Sequence, residues 1–480
     1  MKIEKESLSS RITEEERAEA VKDKYGVSYT KDGEKLIRAP HQLTSYTIKE
    51  GTKVIGDRAF EGCQSLKYVN IPNSVTSIGD RAFLFCKSLK SINIPNSVTN
   101  IGDSAFLGCE SLKSIKIPNN VTSIRDYTFC GCTSLESINI PNSVTSIDEA
   151  AFARCYSIKS FNIEGKNFFT KNGLLISSKG VLIHCFSTEP NIYIPNSVTS
   201  IGDSAFSGCD SLESINIPNS VTNIGDRAFS ECRYLESINI PNSVTKIGDS
   251  AFILCASLKS INIPNSVTKI GDSAFTLCAS LESINIPNSV TNIGDSAFAS
   301  CFSLESINIP NRVTSIGDEA FSGCKSLEFI NIPNSVTSIG NRVFFGCYSI
   351  KSFNIEGKNF FTENGLLISS KRVLIHCFST EPNINIPDSV TSIGDDTFSW
   401  CKSIESINIP NSVISIGKWA FHKCTSLKSI NIPNSVTSIG EEAFYECGSL
   451  ESIYIPKGTK ERFSEILGRK YTDYLVEIDI

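Results

Sequence analysis

The chain has 480 residues, 40% hydrophobic and 20% charged, proportions that suit a folded chain with a buried core. Its formal net charge of −6 argues against general affinity for nucleic acid. No run of residues approaches the ~18 apolar positions that a bilayer span needs, so no membrane insertion is expected.

Residues 1–24 read as a polar helical cap. Thr13 and Glu16 have the spacing of a capping box, and Gly26 lies just past the helical stretch. The opening, MKIEKESLSSRITEEERAEA, is charged and lacks the apolar segment of a secretory signal peptide. Residues 25–62 hold a first hairpin and a lead-in coil. GVSYTKDGEKLIRAP (26–40) is two strand-like runs around Asp32-Gly33, a hairpin signal, and Tyr46, Thr47 and Ile48 follow.

From 63 to 455 the chain repeats itself with a 23-residue period, seen cleanly in CDSLESINIPNSVTNIGDRAFSE (Cys209 to Glu231). Such self-similarity marks a solenoid. Leu212, Ile215 and Ile217 have the L-x-x-L-x-L spacing of a leucine-rich repeat. Ile215 and Ile217 alternate as a short strand requires and face inward, while Asn216 faces out. Pro218 ends the strand and Asn219-Ser220 supply a turn. Val221 and Ile224 return inward, and Gly225 lets the backbone bend. Asp226 is expected to cap a helical turn that points Ala228, Phe229 and Cys232 inward. One coil cannot bury such a face alone, so the coils must stack. The fold class read from this pattern is a leucine-rich-repeat solenoid of about 18 coils, mostly of 23 residues, on the order of 85 Å long. It has a parallel β-sheet on one face and short helical turns and loops on the other.

Two inserts interrupt the period, near 164–190 and 356–382. NFFTKNGLLISSKGVLIHCF (167–186) recurs almost unchanged at 359–378, one 192-residue super-repeat later. Each reads as a hairpin, the first turning at Ser177 to Gly180, that covers either a sheet edge or the convex side. Residues 456–480 form a C-terminal cap. Thr459 is placed to cap an amphipathic helix containing Phe463, Ile466 and Leu467, and a strand-like YLVEI follows. With both ends read as caps, the array is expected to be whole.

The pattern Leu-x-x-Ile-x-Ile-Pro-Asn-x-Val-Thr-x-Ile-Gly-Asp-x-Ala-Phe-x-x-Cys resembles the BspA-like leucine-rich repeat family over roughly residues 25–480. The resemblance implies a curved or gently twisted solenoid with a binding role. Several members of that family are surface proteins that contact host matrix or other cells, so it also implies cell adhesion or protein–protein interaction. The charged N-terminus departs from the secreted members and points to the cytoplasm.

Most of the 18 cysteines fall at one equivalent position per coil, where a free thiol is a small apolar filler. Stacked in this way, their Cβ atoms would be about 4.8 Å apart, beyond the roughly 3.5–4.5 Å of a disulfide, and in-line sulfurs do not build a metal tetrahedron. Unpaired thiols again suit a reducing interior. His184 and His376 are equivalent copies beside Cys185 and Cys377, but neighbours on a strand point to opposite faces and make no nucleophile pair. There is no P-loop, no G-x-G-x-x-G after a strand and no H-E-x-x-H. Neither catalysis, a cofactor nor a metal is expected.

What remains is surface. The outward Asn of each strand forms either a polar floor for a glycan or peptide or, preferably, an amide ladder up the stack. The position after the first Leu changes sign along the chain: Lys67, Lys90, Lys113 and Lys159, then Glu213, Glu236, Glu282, Glu305 and Glu328. It reads as solvated charge or as a field that orients a charged partner. Around the Ala-Phe turn, where repeats differ most, Trp400 and Trp419 are either binding anchors or fillers between coils. The leading expectation is a non-catalytic scaffold, more often monomeric than not, that binds an unidentified protein or glycan ligand. The alternative is a structural, self-assembling repeat without a discrete ligand.

Overall fold

The computed structural model describes residues 8–479. The first seven residues of the cap expected over 1–24, and Ile480, lie outside the described residues. The chain divides into two compact units, 1–235 and 236–480.

Unit one begins with a short helix, Glu14–Ala18. Thr13 Oγ1 accepts the Glu16 N–H at 3.1 Å and the Glu16 carboxylate accepts the Thr13 N–H at 2.8 Å, the capping box expected from their spacing. Ser28–Tyr29 and Lys35–Arg38 pair antiparallel around Asp32-Gly33, and Val21–Lys22 adds a third strand. Regular coils then carry two strands each. In the first ladder, Ser45–Thr47, Tyr68–Asn70, Ser91–Asn93, Ser114–Lys116, Ser137–Ile140 and Ser160–Ile163 pair parallel and in register. Each middle residue is buried and its neighbours are mostly exposed, as alternation demands.

A second parallel ladder was not expected. It is built from two-residue strands: Val54–Ile55, Ser77–Ile78 and Asn100–Ile101. Lys35–Arg38 joins its edge, so the N-terminal hairpin covers that ladder.

The expected helical turn after the Asp is absent, and the described residues from 63 to 455 hold no helix. The residue after each Asp is left-handed instead, for example Arg81 at φ 56°, Ser104 at 55° and Arg227 at 53°. Its N–H points to the next coil: Arg81 donates to Asp103 O and Phe83 to Ala105 O, both at 2.8 Å. Helical geometry would turn these donors into their own coil. The aspartates work between coils too, since Asp57 Oδ1 accepts the Asp80 N–H at 3.0 Å and Asp203 Oδ1 the Asp226 N–H at 2.8 Å.

Inside, Phe60, Phe83, Phe106, Phe129 and Phe152 stack with centroids 5.0–5.8 Å apart and planes within 7°. Most thiols at the repeated position lie beside them and donate to a phenylalanine carbonyl one coil back, as Cys86 does to Phe60 O at 3.1 Å. The insert is a three-stranded meander rather than a single hairpin: Phe168–Lys171, Leu174–Ser177 and Val181–Cys185. It turns first at Asn172-Gly173, whose φ values of 54° and 73° are those of a primed hairpin turn, and again at 178–180. Its last strand pairs parallel with Ser200–Ile201, so the insert covers the edge of the second ladder.

Unit two repeats this plan. Phe252, Phe275, Phe298, Phe321 and Phe344 form one aromatic stack, and Phe398, Phe421 and Phe444 another. A second meander, Phe360–Glu363, Leu366–Ser369 and Val373–Cys377, joins Ser392–Ile393. At the end, helix Lys460–Leu467 buries Phe463, and Leu475–Ile478 pairs with Ser452–Pro456. Thr459 does not cap that helix with its side chain. Its hydroxyl donates to Pro456 O at 2.5 Å, and Glu477 Oε1 accepts the N–H groups of Thr459 and Lys460 at 2.9 and 3.1 Å.

Candidate functional site

The strand face is built by the first ladder. In unit one, Lys67, Lys90, Lys113, Lys159 and Glu213 are all exposed. Lys67, Lys90 and Lys113 sit on successive rungs, with the Lys90 N–H donating to Lys67 O and the Lys113 N–H to Lys90 O. Among the described residues none of the three ammonium groups has an ion-pair partner. Where the sign changes the rungs do pair: Lys159 meets Glu136 at 3.1 Å.

In unit two, Glu236, Glu282 and Glu305 are exposed and Glu328 is half-buried. Lys259 pairs with Glu236 at 3.2 Å and Lys351 with Glu328 at 2.7 Å. Glu282 and Glu305 have no ion-pair partner among the described residues. Exposed pairs of this kind contribute at most about 1 kcal/mol each. The outward asparagines bond up the stack in unit two: Asn331 donates to Asn308 at 3.3 Å, Asn354 to Asn331 at 2.8 Å and Asn431 to Asn408 at 3.3 Å. Asn139 in unit one donates to Glu164 instead.

The two tryptophans lie at different left-handed positions, Trp400 at φ 64° and Trp419 at 50°, and both are half-buried. Trp419 lies against Arg342. The Arg342 guanidinium sits 5.3 Å from its ring and 4.7 Å from Phe345, with Arg342 Nε 2.9 Å from Asp396 Oδ2. That contact is an ion pair by distance without the angle of a hydrogen bond. Burial pushes the Asp396 carboxyl up to about 6, and Arg342 pulls it partly back. Trp400 faces a cavity instead.

That cavity, about 390 Å³, forms where the second meander meets the following coil, and Tyr348, His376, Cys377, Trp400 and Cys401 line it. Unit one has a counterpart of about 350 Å³ lined by Tyr156, His184, Cys185, Gly208 and Cys209. Sequence reasoning missed both cavities, because Tyr348 and Trp400 come from different coils. The signal that finds them is the 192-residue super-repeat, which places Gly208 opposite Trp400 and Asp210 opposite Lys402.

Burial is the main influence on most of the thiols. Burial pushes Cys63 up to about 11 and Cys278 and Cys324 up to about 12. Cys209 and Cys401 are pushed up by hydrogen bonds to the thiols of Cys185 and Cys377 and by burial. His184 is buried between Phe152 and Phe161, each centroid 6.1 Å away. Its Nε2 has no hydrogen-bond partner among the described residues, and burial lowers its pKa to about 4, so the ring is neutral. Among the described residues no cluster of three or more His, Cys, Asp or Glu is arranged to hold a metal. No helix of the described residues is long and apolar enough to cross a membrane.

In-register coils, an inward Leu-Ile-Ile face and an exposed parallel ladder define a leucine-rich-repeat protein. The profile described as "BspA type Leucine rich repeat region (6 copies)" matches residues 39–173, 181–305, 291–370 and 371–469, so the chain belongs to the BspA-type leucine-rich repeat family. No curated protein matches it in sequence. Among solved structures it is similar to a leucine-rich repeat protein from Bacteroides ovatus, at 27% identity over 96% of this chain and 98% of that one, TM-score 0.42. It is also similar to a leucine-rich cell surface protein from Faecalibacterium prausnitzii, at 29% identity over 72% and 87%, TM-score 0.42. The pneumococcal vaccine antigen PcpA is 20% identical over 96% and 82%, TM-score 0.34. Superpositions this loose carry no functional inference.

Proposed function

We propose that the chain is a non-catalytic binding scaffold that engages a protein or glycan ligand through its strand face, an adhesion or protein–protein interaction module. The observation that supports this reading most is the row Lys67, Lys90 and Lys113. Three exposed ammonium groups on successive rungs, without counter-ions, keep like charges adjacent where alternating charges would neutralise one another. Such a row costs a little in self-repulsion and raises the encounter rate with an anionic partner. Glu282 and Glu305 give unit two the opposite sign for a cationic patch.

The test screens the full chain against arrays of immobilised glycans and proteins, then compares it with Lys67→Glu/Lys90→Glu/Lys113→Glu and with Glu236→Lys/Glu282→Lys/Glu305→Lys. Association with a true partner slows and loses salt dependence in one of the triple variants, while substitution of Trp400 and Trp419 leaves it unchanged. Rate and salt slope left intact in both triple variants for every ligand found would refute the strand-face reading.

A further inference from the structure

The two meander cavities are duplicates that differ at the positions where a ligand would be told apart. Both are floored by the same His-Cys-Phe strand end, and both present a tyrosine, Tyr156 in unit one and Tyr348 in unit two. In unit one Tyr156 lies over Gly208, where an added Cβ would stand 2.2 Å from its Cε1. In unit two an indole stands at that place: Trp400 and Tyr348 have centroids 5.9 Å apart and planes 51° apart. Both Gly208, at φ 73°, and Trp400, at 64°, are left-handed, so a tryptophan is kept where glycine is the conformation's natural occupant.

Charge changes with it. Unit one has Asp210 and unit two Lys402, whose Nζ is 5.2 Å from the Trp400 ring. No carboxylate lies within ion-pair distance of Lys402 among the described residues. Lys423, 4.5 Å from the same ring, already pairs with Glu446 at 3.6 Å. Ser379, Thr380 and Ser403 add hydroxyl groups to the wall. At about 390 Å³ the cavity falls within the roughly 300–1,000 Å³ of small-molecule sites.

We propose that the unit-two cavity binds a small acidic sugar, a pyranose carrying a carboxylate. The apolar face of the ring lies on Trp400 and Tyr348, the carboxylate faces Lys402, and the ring hydroxyls meet Ser379, Thr380 and Ser403. A flat aromatic acid fits less well, because the tilted ring pair offers no parallel slot and the hydroxyl wall would go unpaired. The unit-one cavity, with glycine and an aspartate, does not take this ligand. The site stands apart from the strand face and does not depend on that face binding anything.

The chain has two tryptophans, so Trp419→Phe in the full-length protein leaves Trp400 as the sole indole reporter. Its fluorescence is titrated with galacturonate, glucuronate and N-acetylneuraminate, and with galactose and benzoate as comparators. The expected result is a saturable change with at least one acidic sugar, galactose being at least about tenfold weaker and Lys402→Asp removing the response. Trp400→Gly, followed by calorimetry, also removes binding. It tests the site without risking the fold, since the twin coil already carries Gly208, and circular dichroism checks this. No saturable response to any acidic sugar, equal affinity for galactose, tighter binding of benzoate, or unchanged affinity in Trp400→Gly would each overturn the proposal. None of these outcomes touches the lysine-row variants, so the two readings fail separately.

Discussion

Replacing Phe298 with Ala tests how the array holds together. Phe298 is fully buried and stacks between Phe275 at 5.4 Å and Phe321 at 5.6 Å, with planes 4° and 6° apart. The backbone ladder does not need the ring: Phe298 N–H donates to Ala320 O at 2.8 Å, and its carbonyl accepts the Cys324 thiol at 3.2 Å. Truncation therefore removes the ring and leaves a cavity, costing about 3–5 kcal/mol. Of that, about 0.5–1.5 kcal/mol belongs to each lost ring pair. Solenoid stability is nearly a sum over neighbouring coils, so the loss stays local. At about 1.4 kcal/mol per tenfold, amide-exchange protection should fall by about two to four powers of ten. The fall should be confined to Ser260–Asn262, Ser283–Asn285 and Ser306–Asn308, with Ser406–Asn408 unchanged. Unchanged protection near residue 298 would show that the ring is not in the core. An equal fall at Ser406–Asn408 would refute nearest-neighbour additivity.

Two further predictions concern the buried polar groups. Fourteen of the 18 cysteines are buried and Cys130, Cys209, Cys401 and Cys447 are half-buried, so a thiol reagent should label at most about four sites before denaturation and nearly all afterwards. Cys447, lowered by a hydrogen bond from the Cys424 thiol, should react first, and labelling of the deep Cys278 or Cys324 in the native protein would contradict the burial. His184 has a folded pKa lowered to about 4 from 6.5, so the unfolded state binds its proton first as pH falls. Stability is undiminished above pH 6.5 and is lost between about 6.5 and 4, by ~3 kcal/mol at most from this residue. Denaturant midpoints of His184→Phe should fall less than those of the parent over that window, and parallel curves would rule the histidine out.

The inward face was legible because Ile215 and Ile217 repeat with a period that only a strand satisfies, and the Thr13–Glu16 box was legible because both partners lie within one turn. The second ladder was not, since two residues such as Ser77-Ile78 cannot display an alternation. Distance along the chain hid the rest. The aspartate reads as a local cap, yet its partner amide lies one coil away, as with Asp295 and Asp318. Thr459 stands where a cap belongs, but Glu477 reaches back from the far side of the helix. In the inserts, Asn172-Gly173 is a stronger turn signal than Ser177 to Gly180, and it opens the additional strand of the meander. The charged row was legible because its residues recur at one position of the repeat, whereas the cavity needed Tyr348 and Trp400 to meet across coils.

The left-handed backbone at two places in each coil has a consequence for how such a chain diversifies. The conformation there is dictated by donors reaching the next coil, so it is the same whether the residue is Gly208, Glu231, Leu254, Ser300 or Trp400. A side chain at these points does not set the register, and an alternative to glycine costs about 1–2 kcal/mol. The array thus carries a lane in which nearly any residue can be written, coil by coil, while its neighbours stay constant. Constant backbone and varying side chains occupy adjacent atoms of one turn, and one can change without the other.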